Sequence, residues 1–212
     1  MNLQFRLIGA AIMLAAGLTL APFGTACAGL ADEAAALPDR ALGKADAPIT
    51  MVEYASLTCH HCADFQKNVF GKLKLNYIDT GKVRYIFRDF PLDGTGLKVA
   101  AMARCMPEDS YHVLIDVLFQ NQIKWLMSED PVKAAIQYAK LGGLGEADAQ
   151  ACAASEKLMD AITAGRVKAA DKYAVQSTPT FIINDGTEKI AGGLAYEKFT
   201  AKLDALLAKA KK

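Results

Sequence analysis

Two thiols and two imidazoles stand side by side at Cys59-His60-His61-Cys62. They follow the short β-branched run Pro48-Ile49-Thr50-Met51-Val52-Glu53-Tyr54, which reads as a buried strand. They open a segment in which Cys62, Phe65, Val69 and Leu73 recur at helical spacing, so residues 59 to 79 read as an amphipathic helix. A sulfur in the first turn of a helix faces unpaired backbone N–H groups and the positive end of the helix dipole, both of which favour a thiolate. Cys62, one turn on, points inward, where it can close a disulfide with Cys59. His61 would add a further partner if its ring donates to the Cys59 sulfur or is cationic beside it, and His60 supplies an adjacent ring. Each unit by which the thiol pKa falls below ambient pH favours the dithiol by about 1.4 kcal/mol, or roughly 30 mV, so a stabilised thiolate makes an oxidising disulfide. The rival chemistries are an inert CxxC disulfide and half a zinc site. No second CxxC or downstream His pair completes a metal set, and the only other histidine, His112, reads as an ordinary helical residue, so no metal is expected.

The elements that must position this turn can be read on either side of it. Gly81-Lys82-Val83-Arg84-Tyr85-Ile86-Phe87 reads as a second strand, which makes the first part of the chain a βαβ unit. From about 95 to 174 the pattern is helical. Tyr111, Leu114, Leu118 and Trp125 share a face, Asp130-Pro131 caps a helix that Gly142-Gly143 closes, and Leu158, Ile162 and Val167 continue inward in a last long helix. Thr180-Phe181-Ile182-Ile183 and Glu188-Lys189-Ile190-Ala191 flank Asn184-Asp185-Gly186 as a hairpin, and Tyr196 to Lys212 forms a final helix with Phe199, Leu203, Leu206 and Leu207 inside. Arg88 and Asp89 are expected to pair locally after the second strand. Neither half has enough strands to stand alone, so the simplest assembly is one sheet from 40–94 and 175–212, with 95–174 inserted as a helical domain.

The chain has 212 residues, with 24 Lys plus Arg against 23 Asp plus Glu and five Cys. Balanced, dispersed charge argues against nucleic-acid binding, and 52% hydrophobic residues argues against disorder. Arg6, the uncharged run Leu7 to Leu20 and the small residues of Ala26-Cys27-Ala28 have the layout of a secretory signal peptide covering 1–28 and cut after Ala28. A retained anchor or a lipid on Cys27 are the other possibilities. Cleavage removes Arg6 and Cys27, leaving 23 charges of each sign and four Cys in a compartment where disulfides persist. Cys105 and Cys152 are expected to form a structural disulfide, whose loop of about 48 residues is worth about 4 kcal/mol in the chain-entropy model. The alternatives are two buried thiols or a second redox pair.

Three separated stretches, Glu53-Tyr54-Ala55-Ser56-Leu57-Thr58-Cys59-His60-His61-Cys62-Ala63-Asp64-Phe65, Phe87-Arg88-Asp89-Phe90-Pro91-Leu92 and Ser177-Thr178-Pro179-Thr180-Phe181, resemble the DsbA-like family of periplasmic thiol:disulfide oxidoreductases, in the family's order. The resemblance covers about residues 41 to 210. It implies an α/β thioredoxin-like fold with an inserted helical domain, Cys59 as nucleophile, Cys62 as resolving thiol, and a cis-proline loop at Thr178-Pro179 against which clients bind. It also implies that Glu53 is a buried acid moving protons to or from Cys62, the alternative being a partly exposed strand acid. His60 stands where many members have Pro.

The function so implied is donation of the Cys59–Cys62 disulfide to unfolded exported proteins with free thiols. The enzyme would be a periplasmic monomer with no cofactor, recharged by a quinone-linked inner-membrane partner. The competing functions are a disulfide isomerase or reductase on the same scaffold and, from a different class, a non-catalytic copper-binding module.

Overall fold

The computed structural model describes residues 25–210, with side chains from Gly29 onward. The expected signal peptide lies outside them except for the backbone of 25–28, which begins a helix, α1 (Thr25–Ala34), that the sequence pattern does not announce. A five-stranded mixed sheet is formed by β1 (Ala41–Leu42), β2 (Ile49–Ala55), β3 (Val83–Asp89), β4 (Thr180–Ile183) and β5 (Glu188–Ala191), in the order β1-β3-β2-β4-β5. β2 and β3 run parallel and every other pair is antiparallel. Glu53 therefore has Phe87 on one side and Phe181 on the other, contributed by sequence-distant parts of the chain.

Strand side chains alternate between the two sheet faces. Met51, Tyr85, Phe87 and Phe181 join the main core with Phe65 and Phe199, while Tyr54 and Ile182 belong to a smaller cluster with Phe90, Ala169 and Val175. The expected helix over 59–79 is interrupted: α2 (His60–Phe65), a π turn at Gln66–Phe70, α3 (Gly71–Leu73) and a second π turn at Lys74–Ile78 follow without a break in helical backbone. The wider turns still keep Cys62, Phe65, Val69 and Leu73 buried.

Between β3 and β4 lie α4 (Gly94–Arg104), α5 (Glu108–Gln120), α6 (Gln122–Leu126), α7 (Pro131–Leu141), α8 (Glu146–Ala153) and α9 (Glu156–Tyr173). Their starts are written in the sequence: Asp93, Asp130 and Ser155 each accept a backbone N–H of the first turn. The face expected to run from Tyr111 to Trp125 is broken at Asn121, whose φ of −107° and ψ of 18° divide α5 from α6. Trp125 is nonetheless buried and donates to the Leu118 carbonyl at 2.8 Å. Val167 corrects the expectation for α9: it is 49% exposed, and the inner face is Leu158, Ile162 and Ala169.

Arg88 and Asp89 do not pair with each other. They alternate across the strand, so Arg88 reaches Asp39 (2.8 Å) while Asp89 holds the buried Arg104 (2.5 Å). The sulfurs of Cys105 and Cys152 are bonded at 1.98 Å, joining the C-terminal end of α4 to α8. The last helix, α10 (Tyr196–Ala210), buries Phe199 and Leu203 against the sheet, with Leu206 and Leu207 partly buried beside them.

Candidate functional site

Cys59 caps the N-terminus of α2 in extended conformation, φ −78° and ψ 120°, so its sulfur stands where the first helical N–H groups lack intrahelical partners. Its backbone N–H donates to the Ser56 carbonyl at 3.0 Å. Both thiols are free; Cys59 is 8% exposed and Cys62 1%. The Cys59 pKa is pushed down to about 5. The largest cause is the Cys62 thiol, which donates to the Cys59 sulfur and outweighs burial; Thr178 and the backbone N–H groups of Cys62 and His61 add to it. Cys62 moves the other way. Burial dominates, and the bond to Cys59 and the charges of Glu53 and Cys59 push its pKa up further.

The Thr178–Pro179 bond is cis, and the Cys59 thiol donates to the Thr178 carbonyl at 3.4 Å. Pro179 leads into β4, and its carbonyl accepts from Gly192 N–H at 2.8 Å. Gly193 lies against the turn, where an added Cβ would stand 3.6 Å from the His61 carbonyl and 3.5 Å from Phe65 Cβ. A cavity of about 210 Å³ opens there, lined by His61, Asp64, Phe65, Asn68 and Leu194. A larger one, about 510 Å³, lies on the other sheet face among Tyr54, Arg88, Arg104, Lys168 and Tyr173, away from the thiols.

The two imidazoles part company. The contribution of His61 to the Cys59 sulfur comes from its backbone N–H. His60 is turned along the helix to Asp64, one turn on, at 3.3 Å. Glu53 is 1% exposed on β2, with Oε2 accepting from Tyr85 Oη at 2.7 Å. Burial raises its pKa to about 8, the Tyr85 bond opposes the rise, and the Cys59 charge adds to it.

Gln122, the first residue of α6, was not foreseen. It is 3% exposed, and its Nε2 donates to the Leu57 carbonyl (2.8 Å) and the Cys59 carbonyl (3.0 Å), pinning the reactive turn from the helical segment. A Gln inside an apparently unbroken helical pattern carries no signal of this; only the break at Asn121 aims it. A second brace runs through the Asp93 cap: Asp93 accepts from Gly96 N–H (2.7 Å) and from the Thr58 hydroxyl (2.6 Å), which in turn meets Ser56 Oγ at 2.9 Å. An added Cβ at Gly96 would press on both hydroxyls at 3.0 and 3.1 Å. Among the described residues no three His, Cys, Asp or Glu side chains converge as a metal-ligand group.

A family model described as thioredoxin matches residues 36–205. A putative protein-disulfide oxidoreductase of Rickettsia bellii is 32% identical over 149 residues, which are 69% of this chain and 57% of that protein, so the chain spans little more than half of that relative. Disulfide bond formation protein D of Bacillus subtilis is 30% identical over 154 residues, 68% of this chain and 67% of that protein. The crystal structure of Wolbachia pipientis alpha-DsbA1 superposes with a TM-score of 0.74 at 37% identity, covering 81% of this chain and 92% of that one.

Proposed function

The chain belongs to the DsbA-like family of thioredoxin-fold proteins, and from that membership we propose that it is a protein-disulfide oxidoreductase that gives its Cys59–Cys62 disulfide to exported proteins with free thiols. The observation that carries this is the opposition between the two sulfurs: Cys59 is held down to about 5 while its partner three residues on is pushed up. A thiolate stable about two units below neutral pH favours the reduced enzyme by on the order of 60 mV, which makes the disulfide a donor of oxidising equivalents.

A client thiolate attacks Cys59 Sγ. The Cys59–Cys62 bond breaks, its electron pair passes to Cys62 Sγ, and that sulfur takes a proton from Glu53. A second client thiolate then attacks the client sulfur of the mixed disulfide and expels Cys59 as the thiolate that its surroundings stabilise. The client leaves with one new disulfide and the enzyme with two more electrons. The groove beside Pro179 receives the client as an extended segment. The proposal includes action as a monomer in the periplasm and recharging by a quinone-linked inner-membrane oxidant.

The test is a titration of Cys59 by thiolate absorbance together with equilibration against glutathione. A pKa close to the inflection near 5 and an oxidising potential are expected. A thiol near the free value of about 8.5 with a reductant's potential overturns the function.

A further inference from the structure

Glu53 and Tyr85 project from the same face of adjacent parallel strands, where Met51 is the register partner of Tyr85. Tyr85 Oη donates to Glu53 Oε2 at 2.7 Å, and both side chains are buried. The other carboxyl oxygen, Oε1, is buried with no partner among the described residues. Burial and the neighbouring Glu53 hold the Tyr85 phenol well above its ordinary pKa, so it remains a donor across the working range. The two carboxyl oxygens are therefore unlike. An oxygen that already accepts a hydrogen bond is the carbonyl oxygen of a neutral acid, and the acid proton is left to Oε1.

We propose that Tyr85 is a positioning residue for proton transfer between Glu53 and Cys62: by occupying Oε2 it fixes the carboxyl group and assigns the transferable proton to Oε1. The proposal rests on the reading of Glu53 as the proton carrier. When a client thiolate opens the Cys59–Cys62 bond, the electron pair goes to Cys62 Sγ, the Oε1 proton moves to that sulfur, and Glu53 is left as a carboxylate. The Tyr85 bond then becomes charge-assisted and stabilises that product. In the reverse closure Oε1 takes the Cys62 proton, and Cys62 Sγ attacks Cys59 as the outgoing thiol departs.

Apart from their own strands, the groups around this pair come from the start of α2, the π turn after it and α5. Cys59 and Cys62 stand at the start of α2, where the Cys59 charge raises the Glu53 pKa and the charges of Glu53 and Cys59 raise that of Cys62. Tyr111 and His112 approach Tyr85 from α5. The His112 ring lies 6.0 Å from the Tyr85 ring with a ring nitrogen 2.8 Å from the Arg40 carbonyl, and burial keeps it below its usual pKa. Beside Phe87, its own strand neighbour two residues on, Tyr85 packs on Phe70 at 4.9 Å between ring centroids, a contact that phenylalanine preserves.

The experiment is the pH dependence of the closing step, the rate at which Cys62 expels glutathione from the mixed disulfide on Cys59, in single turnover. Wild type is expected to show a Glu53 inflection raised by burial above the ordinary carboxylate range. Tyr85→Phe moves that inflection up by about one unit, roughly tenfold in rate at a pH below both inflections, while the Cys59 thiolate titration stays in place. Glu53→Gln removes the inflection. If Glu53→Gln removes it and Tyr85→Phe superposes on wild type, the Tyr85 proposal falls and the role of Glu53 stands. If Glu53→Gln leaves the profile intact, the role of Glu53 falls and takes the proposal with it. A second measurement needs no variant: the infrared carboxyl band of neutral Glu53 in the oxidised wild-type protein is expected at the frequency of a hydrogen-bonded carbonyl, and a band at the free-carbonyl frequency overturns the assignment of the two oxygens.

Discussion

The protein holds two cysteine pairs at opposite kinds of helix end. Cys59 caps the start of α2 with Cys62 in its first turn, whereas Cys105 caps the end of α4 and Cys152 is the penultimate residue of α8. The partial positive charge at a helix start favours a thiolate, and the partial negative charge at a helix end opposes one. The separations differ as well: three residues against 47. A short bridge gains little from closing its loop and is readily given away, while the long one constrains the unfolded chain. All four sulfurs are nearly buried, so burial is not what separates a reactive pair from a structural one. The Cys62 thiol's bond to Cys59, helix polarity and loop length are.

The largest effect that would break this comparison is on turnover. Cys59→Ser is expected to abolish oxidation of a reduced client, while Cys105→Ala with Cys152→Ala leaves the glutathione equilibrium of the remaining pair unchanged. A client-oxidation assay that fails for the double variant despite a folded protein would make the two pairs one system. The next effect is on stability: the same double variant is expected to lose about 4 kcal/mol in denaturant unfolding, and no loss would remove the structural role.

A third difference is in pH. The folded-state pKa of Cys59 lies far below that of a free thiol, so its contribution to the reduced protein is present above about 8.5 and is lost as pH falls through about 5. Glu53 has the opposite sign. Raised to about 8, it costs stability progressively as pH climbs from about 4.3 to 8. The reduced-minus-oxidised stability carries the Cys59 contribution and is expected to rise with pH by about 2–3 kcal/mol between pH 5 and 7. Calorimetry of the two forms checks this, and a flat difference contradicts the depressed thiol. The smallest effect is that of Gln122→Leu, which leaves the Leu57 and Cys59 carbonyls short of a donor at a cost of about 1–3 kcal/mol and is expected to raise the Cys59 pKa by less than a unit. Thiolate absorbance beside a melting curve separates the two consequences.

What could be read from the chain was whatever is local. The strand before Cys59, the spacing of Cys62, Phe65, Val69 and Leu73, the Asp130-Pro131 cap and the Asn184-Asp185-Gly186 hairpin each carry their signal within a few residues. Glu53 was reached by resemblance, since a single Glu in a strand does not announce its burial. What stayed hidden is what tertiary structure alone decides. Arg88 and Asp89 are neighbours in sequence but face opposite sides of a strand, so their partners are Asp39 and Arg104. Val167 fits an apolar helical stripe, yet Ala169 is the residue that turns inward. The His61 ring looked like the natural partner for Cys59, and its backbone N–H is what contributes. Tyr85 and Gln122 act on atoms 32 and 63 residues away, and periodicity reports burial without reporting partners.

The Thr178 side chain, one of the groups that hold the Cys59 pKa down, comes from 119 residues further along the chain. A polypeptide that emerges amino-terminus first presents Cys59, Cys62, Cys105 and Cys152 well before Thr178 exists beside them. Until β4 has joined β2, Cys59 lacks that share of what lowers its pKa, and it stands with the others on more nearly equal terms. Its advantage is thus postponed to the end of assembly. The loop that completes the site is also its timer.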